Sequence, residues 1–281
     1  MERIATLAIL GDSAAYGIGD VDKEGNPRGW SYYLAQSFEN PLVYVNFSRP
    51  GAQSSEVLTI QLPKAMDYQP DIAAVIVGGN DLLRNGFSPE VFYNNLRKIV
   101  AQLHQLEVQV LLLQLHDPTQ ILPLPKVLAK VLRRRVDAVN AATLAVAREF
   151  SAHVLQTRKI ANIYERKVWH IDRMHPSKFG HQMIAFHFRE ILKKHWDIRD
   201  IDIIHPEEKS KSESLLWMLR NGTPWFFKRS FDLLPAALFL MLLEFGKLLL
   251  RRGEENSQLL FPNFPNHFEQ EFDQVHEARV S

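Results

Sequence analysis

Cysteine is absent from the 281 residues. That excludes disulfide bonds, zinc–thiolate sites, iron–sulfur clusters and a thiolate nucleophile. It leaves the compartment open, because a chain without cysteine suits reducing and oxidising surroundings alike. An excess of one charge is also missing: 33 Lys plus Arg stand against 32 Asp plus Glu, a formal net charge of +1. Such a chain has no global field to draw in a polyanion, so no nucleic-acid partner is expected. The N-terminus lacks the basic start, long apolar stretch and small-residue cleavage site of a signal peptide. Its apolar residues, Ile4–Leu10, stop at Gly11-Asp12. They read as a buried strand, and the expected location is cytoplasmic. No internal repeat is visible.

What is present is a globular composition, 46% hydrophobic and 23% charged, in a chain long enough for a sizeable core. Short apolar runs recur at Ile4–Leu10, Leu42–Phe47, Ile72–Val77, Val108–Leu115 and His153–Leu155. Between them lie helical candidates at Trp30–Phe38, Ser54–Met66, Pro89–Leu106 and Lys126–Phe150, with a last one from about Ser177 to Trp196. Strands that are continuously apolar, rather than alternating, and separated by helices indicate a parallel sheet covered on both faces. The expected fold is a three-layer α/β/α domain over residues 1–204.

Four segments fall where such a sheet concentrates reactive groups, at the carboxyl ends of its strands or the start of a helix. They are Gly11-Asp12-Ser13, Asn46–Gly51, Gly78-Gly79-Asn80-Asp81 and Asp172-Arg173-Met174-His175-Pro176. Alone, the first reads as an ordinary helix N-cap, which Ser favours. Together the four carry what acyl transfer needs. A Ser hydroxyl becomes nucleophilic when a base takes its proton, and His175 can be that base. A carboxylate must hold the imidazole and stabilise its charged form, and Asp172 is three residues away. The oxyanion needs preorganised donors, which the N–H of Ser13, the N–H of Gly51 and the amide of Asn80 can supply. Asp12 and Asp81 are expected to shape their turns.

On these residues the chain resembles the SGNH hydrolases, the GDSL esterase/lipase family, over about residues 1–200. The family's Ser, Gly, Asn and His markers match Ser13, Gly51, Asn80 and His175, and its Asp three before the His matches Asp172. Ala14 stands where the family often has Leu. The resemblance implies a flavodoxin-like sheet of strand order 2-1-3-4-5, hydrolysis of esters or thioesters, and no cofactor. No Gly-x-Ser-x-Gly elbow is present. An acyltransferase on the same scaffold, with an alcohol replacing water, stays open, as does an inactive protein that binds a membrane or partner.

Tyr16, Leu82, Leu83, His116 and Met174 adjoin the motifs, as substrate-binding residues or as core. His116 reads more readily as capping a turn. His170, His181 and His187 show no i, i+4 pairing with a carboxylate, so no metal site is expected. Arg133-Arg134-Arg135 reads as a solvated helix face.

Residues 205–214 are polar and linker-like. Residues 215–252 are apolar and basic, with Trp217, Trp225 and five Phe. A basic segment with aromatic and leucine anchors suits a helix lying on a bilayer. Packing on the domain or a second subunit, and a true span, are the alternatives, and the oligomeric state is undetermined. If membrane contact holds, the ester substrate is expected to be lipidic. Residues 253–281 are acidic and expected to be weakly ordered.

Overall fold

In the computed structural model, which describes residues 4–84 and 86–204, strand β1 (Ala5–Gly11) is the centre from which the fold grows. Its residues are buried from Thr6 onward, and they alternate between two cores. Leu7 and Ile9 face one side; Ala8 and Leu10 face the other. This is period-2 geometry with both faces covered, which is why the run is apolar throughout. β2 (Leu42–Asn46), β3 (Ile72–Ile76), β4 (Gln109–Gln114) and β5 (His153–Gln156) complete a sheet of order β2-β1-β3-β4-β5, every neighbouring pair parallel. The order and architecture are those expected from the sequence.

The helices form two outer layers. α2 (Gly29–Ser37) and α8 (Lys178–Leu192) cover one face, where Trp30, Leu34 and Phe188 pack against Leu7, Ile9 and Ile72. α6 (Pro89–Gln105) and α7 (Lys126–Phe150) cover the other, where Phe92, Ile99 and Val136 meet Leu10, Val75 and Leu112. The expected helix over Ser54–Met66 is divided: α3 (Ser54–Glu56), a π-turn (Val57–Gln61) and α4 (Leu62–Met66). Pro63 has no N–H to return to the preceding turn, and the coil widens just before it. Two short helices, α1 (Ser13–Tyr16) and α5 (Gly79–Leu83), were not anticipated; each occupies a turn directly after a strand.

Among the described residues no helix is long and apolar enough to cross a membrane. The expectations for 205–214, 215–252 and 253–281 fall outside the described residues.

Candidate active site

The nucleophile turn begins where β1 ends. Asp12, not Ser13, is the N-cap of α1: its Oδ1 accepts from the Ala14 N–H at 3.0 Å. The capping role first weighed for Ser13 therefore falls to its neighbour, and the Ser13 hydroxyl is left for another partner. Burial pushes the Asp12 carboxyl up to about 6, against the opposing pull of the Ala14 N–H and His175.

That partner comes from the loop between β5 and α8. The loop closes on itself: His170 N–H donates to the His175 carbonyl at 2.8 Å, and Ser177 N–H to the Val168 carbonyl at 2.8 Å. Within it, Asp172 Oδ1 accepts the N–H groups of Met174 (2.9 Å) and His175 (3.0 Å). Asp172 Oδ2 lies 2.8 Å from His175 Nδ1, and His175 Nε2 lies 2.8 Å from Ser13 Oγ. Ser13 and His175 are separated by 162 positions in sequence, yet both are buried, at 8% and 6% exposure. The Asp172 carboxyl is held well below the usual range. Burial acts to raise it, and hydrogen bonds from His170, His175 and the Met174 N–H more than offset that.

Gly51 and Asn80 approach each other across the ends of β2 and β3. Asn80 Nδ2 donates to the Ala52 carbonyl at 3.1 Å, which ties the amide to the Gly51 turn. Gly51 has φ +87°, in the region that favours glycine, although a Cβ there would meet nothing within 4 Å. Behind them Asp81, whose carboxyl is raised by burial, accepts from Ser54 N–H and from Ser54 Oγ at 2.6 Å. Its role is to join two loops 27 residues apart, wider than a purely local turn.

A cavity of about 170 Å³ opens beside Ser13, His175 and Asn80. Its walls are largely apolar and include Trp30, Leu113, Leu132, Val136, Trp169 and Ile184. Leu82, Leu83, His116 and Met174 also line it. Tyr16 does not: it closes the four-residue α1, after which Gly17 turns the chain away in a left-handed conformation. Gly51 is outside the lining as well. The His116 ring lies on the Trp169 ring, with centroids 3.8 Å apart, so it is a wall of the cavity and not a turn cap. Burial pushes its imidazole down to about 3, which keeps it neutral. Asp117 caps the following turn instead, accepting from Thr119 N–H and Oγ1.

Two contributors escaped the sequence reading. Gln61 pairs both of its amide atoms with the backbone of Gly11, and His170 approaches Asp172. Gln61 had no motif to announce it. His170 had a signal, its place two residues before Asp172. Arg133, read as solvated, pairs with Asp117 at 3.0 Å while staying 56% exposed. Among the described residues no group of His, Asp and Glu is arranged to hold a metal ion.

Comparison with known proteins agrees with this geometry. A family model described as the GDSL-like Lipase/Acylhydrolase family matches residues 9–183. The "Thioesterase 1/protease 1/lysophospholipase L1" of Escherichia coli K12 is 29% identical over 182 residues, 64% of this chain and 79% of that protein. Two solved structures share the fold. The lipase/acylhydrolase from Enterococcus faecalis has a TM-score of 0.56 at 14% identity, over 70% of this chain and 100% of the other. The psychrotrophic esterase EstA from Pseudoalteromonas sp. has a TM-score of 0.53 at 22% identity, over 67% and 97%.

Proposed function

The chain belongs to the GDSL-like lipase/acylhydrolase family, and from that premise we propose that it hydrolyses carboxylic esters with Ser13 as nucleophile, His175 as general base and acid, and Asp172 as the carboxylate that orients His175. The observation that carries this reading is the pair of 2.8 Å contacts, Asp172 Oδ2 to His175 Nδ1 and His175 Nε2 to Ser13 Oγ. The Ser13 oxygen attacks the acyl carbon as its proton passes to His175 Nε2. The carbonyl oxygen becomes an oxyanion, for which the Ser13 N–H, the Gly51 N–H and the Asn80 amide are the proposed donors. Collapse expels the alkoxide, which leaves as the alcohol with the proton from His175. Water then repeats the sequence on the acyl-serine and releases the acid.

The apolar cavity is the proposed acyl site. An engineered apolar cavity of about 150 Å³ accepts benzene, so about 170 Å³ suits an acyl group of roughly six carbons. Ester or thioester substrates of lipid type are consistent with the name of the E. coli relative. The composition of 215–252 supports peripheral membrane contact by that segment. Liposome sedimentation of the full chain against a 1–208 truncation tests it, and equal recovery of both in the supernatant excludes it.

The central experiment is replacement of Ser13 by Ala. Hydrolysis of p-nitrophenyl esters and labelling by a fluorophosphonate are both expected to vanish, and full activity in the variant refutes the assignment.

A further inference from the structure

Asp172 serves two imidazoles. Its Oδ2 atom is 2.8 Å from His175 Nδ1 and 3.4 Å from His170 Nδ1. Its Oδ1 atom is already taken by two backbone N–H groups, so every additional donor competes at Oδ2. The carboxylate is deeply buried, at 4% side-chain exposure, while the His170 side chain is 30% exposed. The second imidazole thus connects a buried carboxylate to solvent. It is not free to swing away, because His170 N–H donates to the His175 carbonyl at 2.8 Å and Arg173 N–H to the His170 carbonyl at 2.9 Å.

We propose that His170 is a positioning residue that shares the Asp172 carboxylate with His175 and thereby sets the acid limb of the enzyme's pH profile. The inference rests on the assignment of Ser13, His175 and Asp172 above. A carboxylate supports the imidazolium of the base through its negative charge. A second donor on the same oxygen draws part of that charge away, so His175 gains a proton less readily and remains a working base at lower pH. Other charged groups nearby do not take over this role. His181 of α8 is pushed down to about 4, chiefly by burial, and is neutral. Arg173 directs Nη1 at the Ile121 carbonyl, 3.4 Å away. Gly19 comes against the His170 Cβ, and Asp20 in the same loop is engaged by the Tyr33 hydroxyl at 2.5 Å.

The test is the pH dependence of kcat/KM on one p-nitrophenyl ester, using the full chain, for the wild type, H170L, H170N and H170Q. Removing the donor with Leu, or with the shorter Asn, is expected to move the acid limb upward by about 0.5–1 pH unit. Gln, long enough to keep an amide donor near Oδ2, is expected to return it to the wild-type position. A purely structural role would lower the plateau without moving the limb. The proposal is overturned if the limbs of H170L and H170N coincide with that of the wild type, or if H170Q moves as far as they do. Should H170L not fold, H170N against H170Q decides. A Ser13→Ala control separates this from the underlying assignment. Activity that survives in S13A defeats the assignment itself. Ser13-dependent activity with an unmoved limb defeats the role of His170 alone.

Discussion

Gln61 holds Gly11 by both ends of its amide: Oε1 accepts the Gly11 N–H at 2.7 Å, and Nε2 donates to the Gly11 carbonyl at 3.0 Å. Gly11 has φ +144°, and a Cβ there would lie 2.0 Å from the Ile76 carbonyl oxygen. The backbone just before Asp12 and Ser13 is therefore fixed by a side chain from the π-turn, in a conformation that only glycine accepts.

Replacing Gln61 by Leu leaves two buried backbone groups without their partner, at about 1–3 kcal/mol each. The expected loss is roughly 2–4 kcal/mol in a denaturant titration, and fluorophosphonate labelling of Ser13 should slow in the protein that remains folded. Unchanged stability with normal labelling would show that the clasp is dispensable.

A second expectation concerns acid. His181 is fully buried and accepts the Trp30 N–H at Nδ1 (3.2 Å) while Nε2 donates to the Ile18 carbonyl (3.0 Å). The folded imidazole, at about 4, is depressed below its ordinary 6.5. The unfolded chain binds the proton first, so this stability is complete above about 6.5 and is lost as pH falls toward 4. Asp12, raised by burial to about 6, acts in the opposite direction over part of the same window. The clean measurement is thus a difference. Between pH 6 and 4.5 the stability of wild type should fall more steeply than that of His181→Gln, by up to about 1.4 kcal/mol per pH unit for the one proton. Parallel slopes would remove His181 from the account.

The proposed oxyanion donors make a matched pair of predictions. Asn80→Ala removes a side-chain donor and should lower kcat by about 10²–10³, with a smaller effect on KM. Gly51→Ala adds a methyl that meets no atom within 4 Å, but at φ +87°. Any loss there must come from backbone rotation and not from a clash. A fall in kcat of at least tenfold, with stability lowered by about 1–2 kcal/mol, is the expected result. Full activity in Gly51→Ala would exclude its N–H as a required donor.

Much of this architecture was legible because apolar runs and helix lengths are set by burial, which composition records directly. The four motif segments were legible because a parallel sheet gathers strand ends at one edge. The contributions of Gln61 and His170 were harder to read for different reasons. Gln61 acts through a pairing 50 residues away in sequence, with no local pattern. His170 sits near Asp172 in sequence, but whether its ring or its backbone faces the carboxylate depends on how the 169–176 loop closes. Tyr16 was misplaced because proximity to Ser13 was taken as proximity to substrate, whereas the left-handed Gly17 ends α1 at that residue.

The cavity leads to the last prediction. About 170 Å³ bounded by Leu113, Leu132, Val136 and Ile184 gains free energy with each methylene buried, about 0.8 kcal/mol apiece, until the space is filled. Across p-nitrophenyl esters, kcat/KM should rise with acyl length to roughly six carbons and then level off, since further carbons must leave through the mouth. Leu132 is the wall to alter, because it is only half-buried and can be enlarged with less strain than the tightly packed Val136. Leu132→Trp should lower kcat/KM for the hexanoate by about tenfold or more, within the range for a misfitting methylene or two, while the acetate ester is much less affected. A uniform loss across all lengths would instead indicate a distorted catalytic loop. An unchanged profile would mean that the acyl chain binds elsewhere.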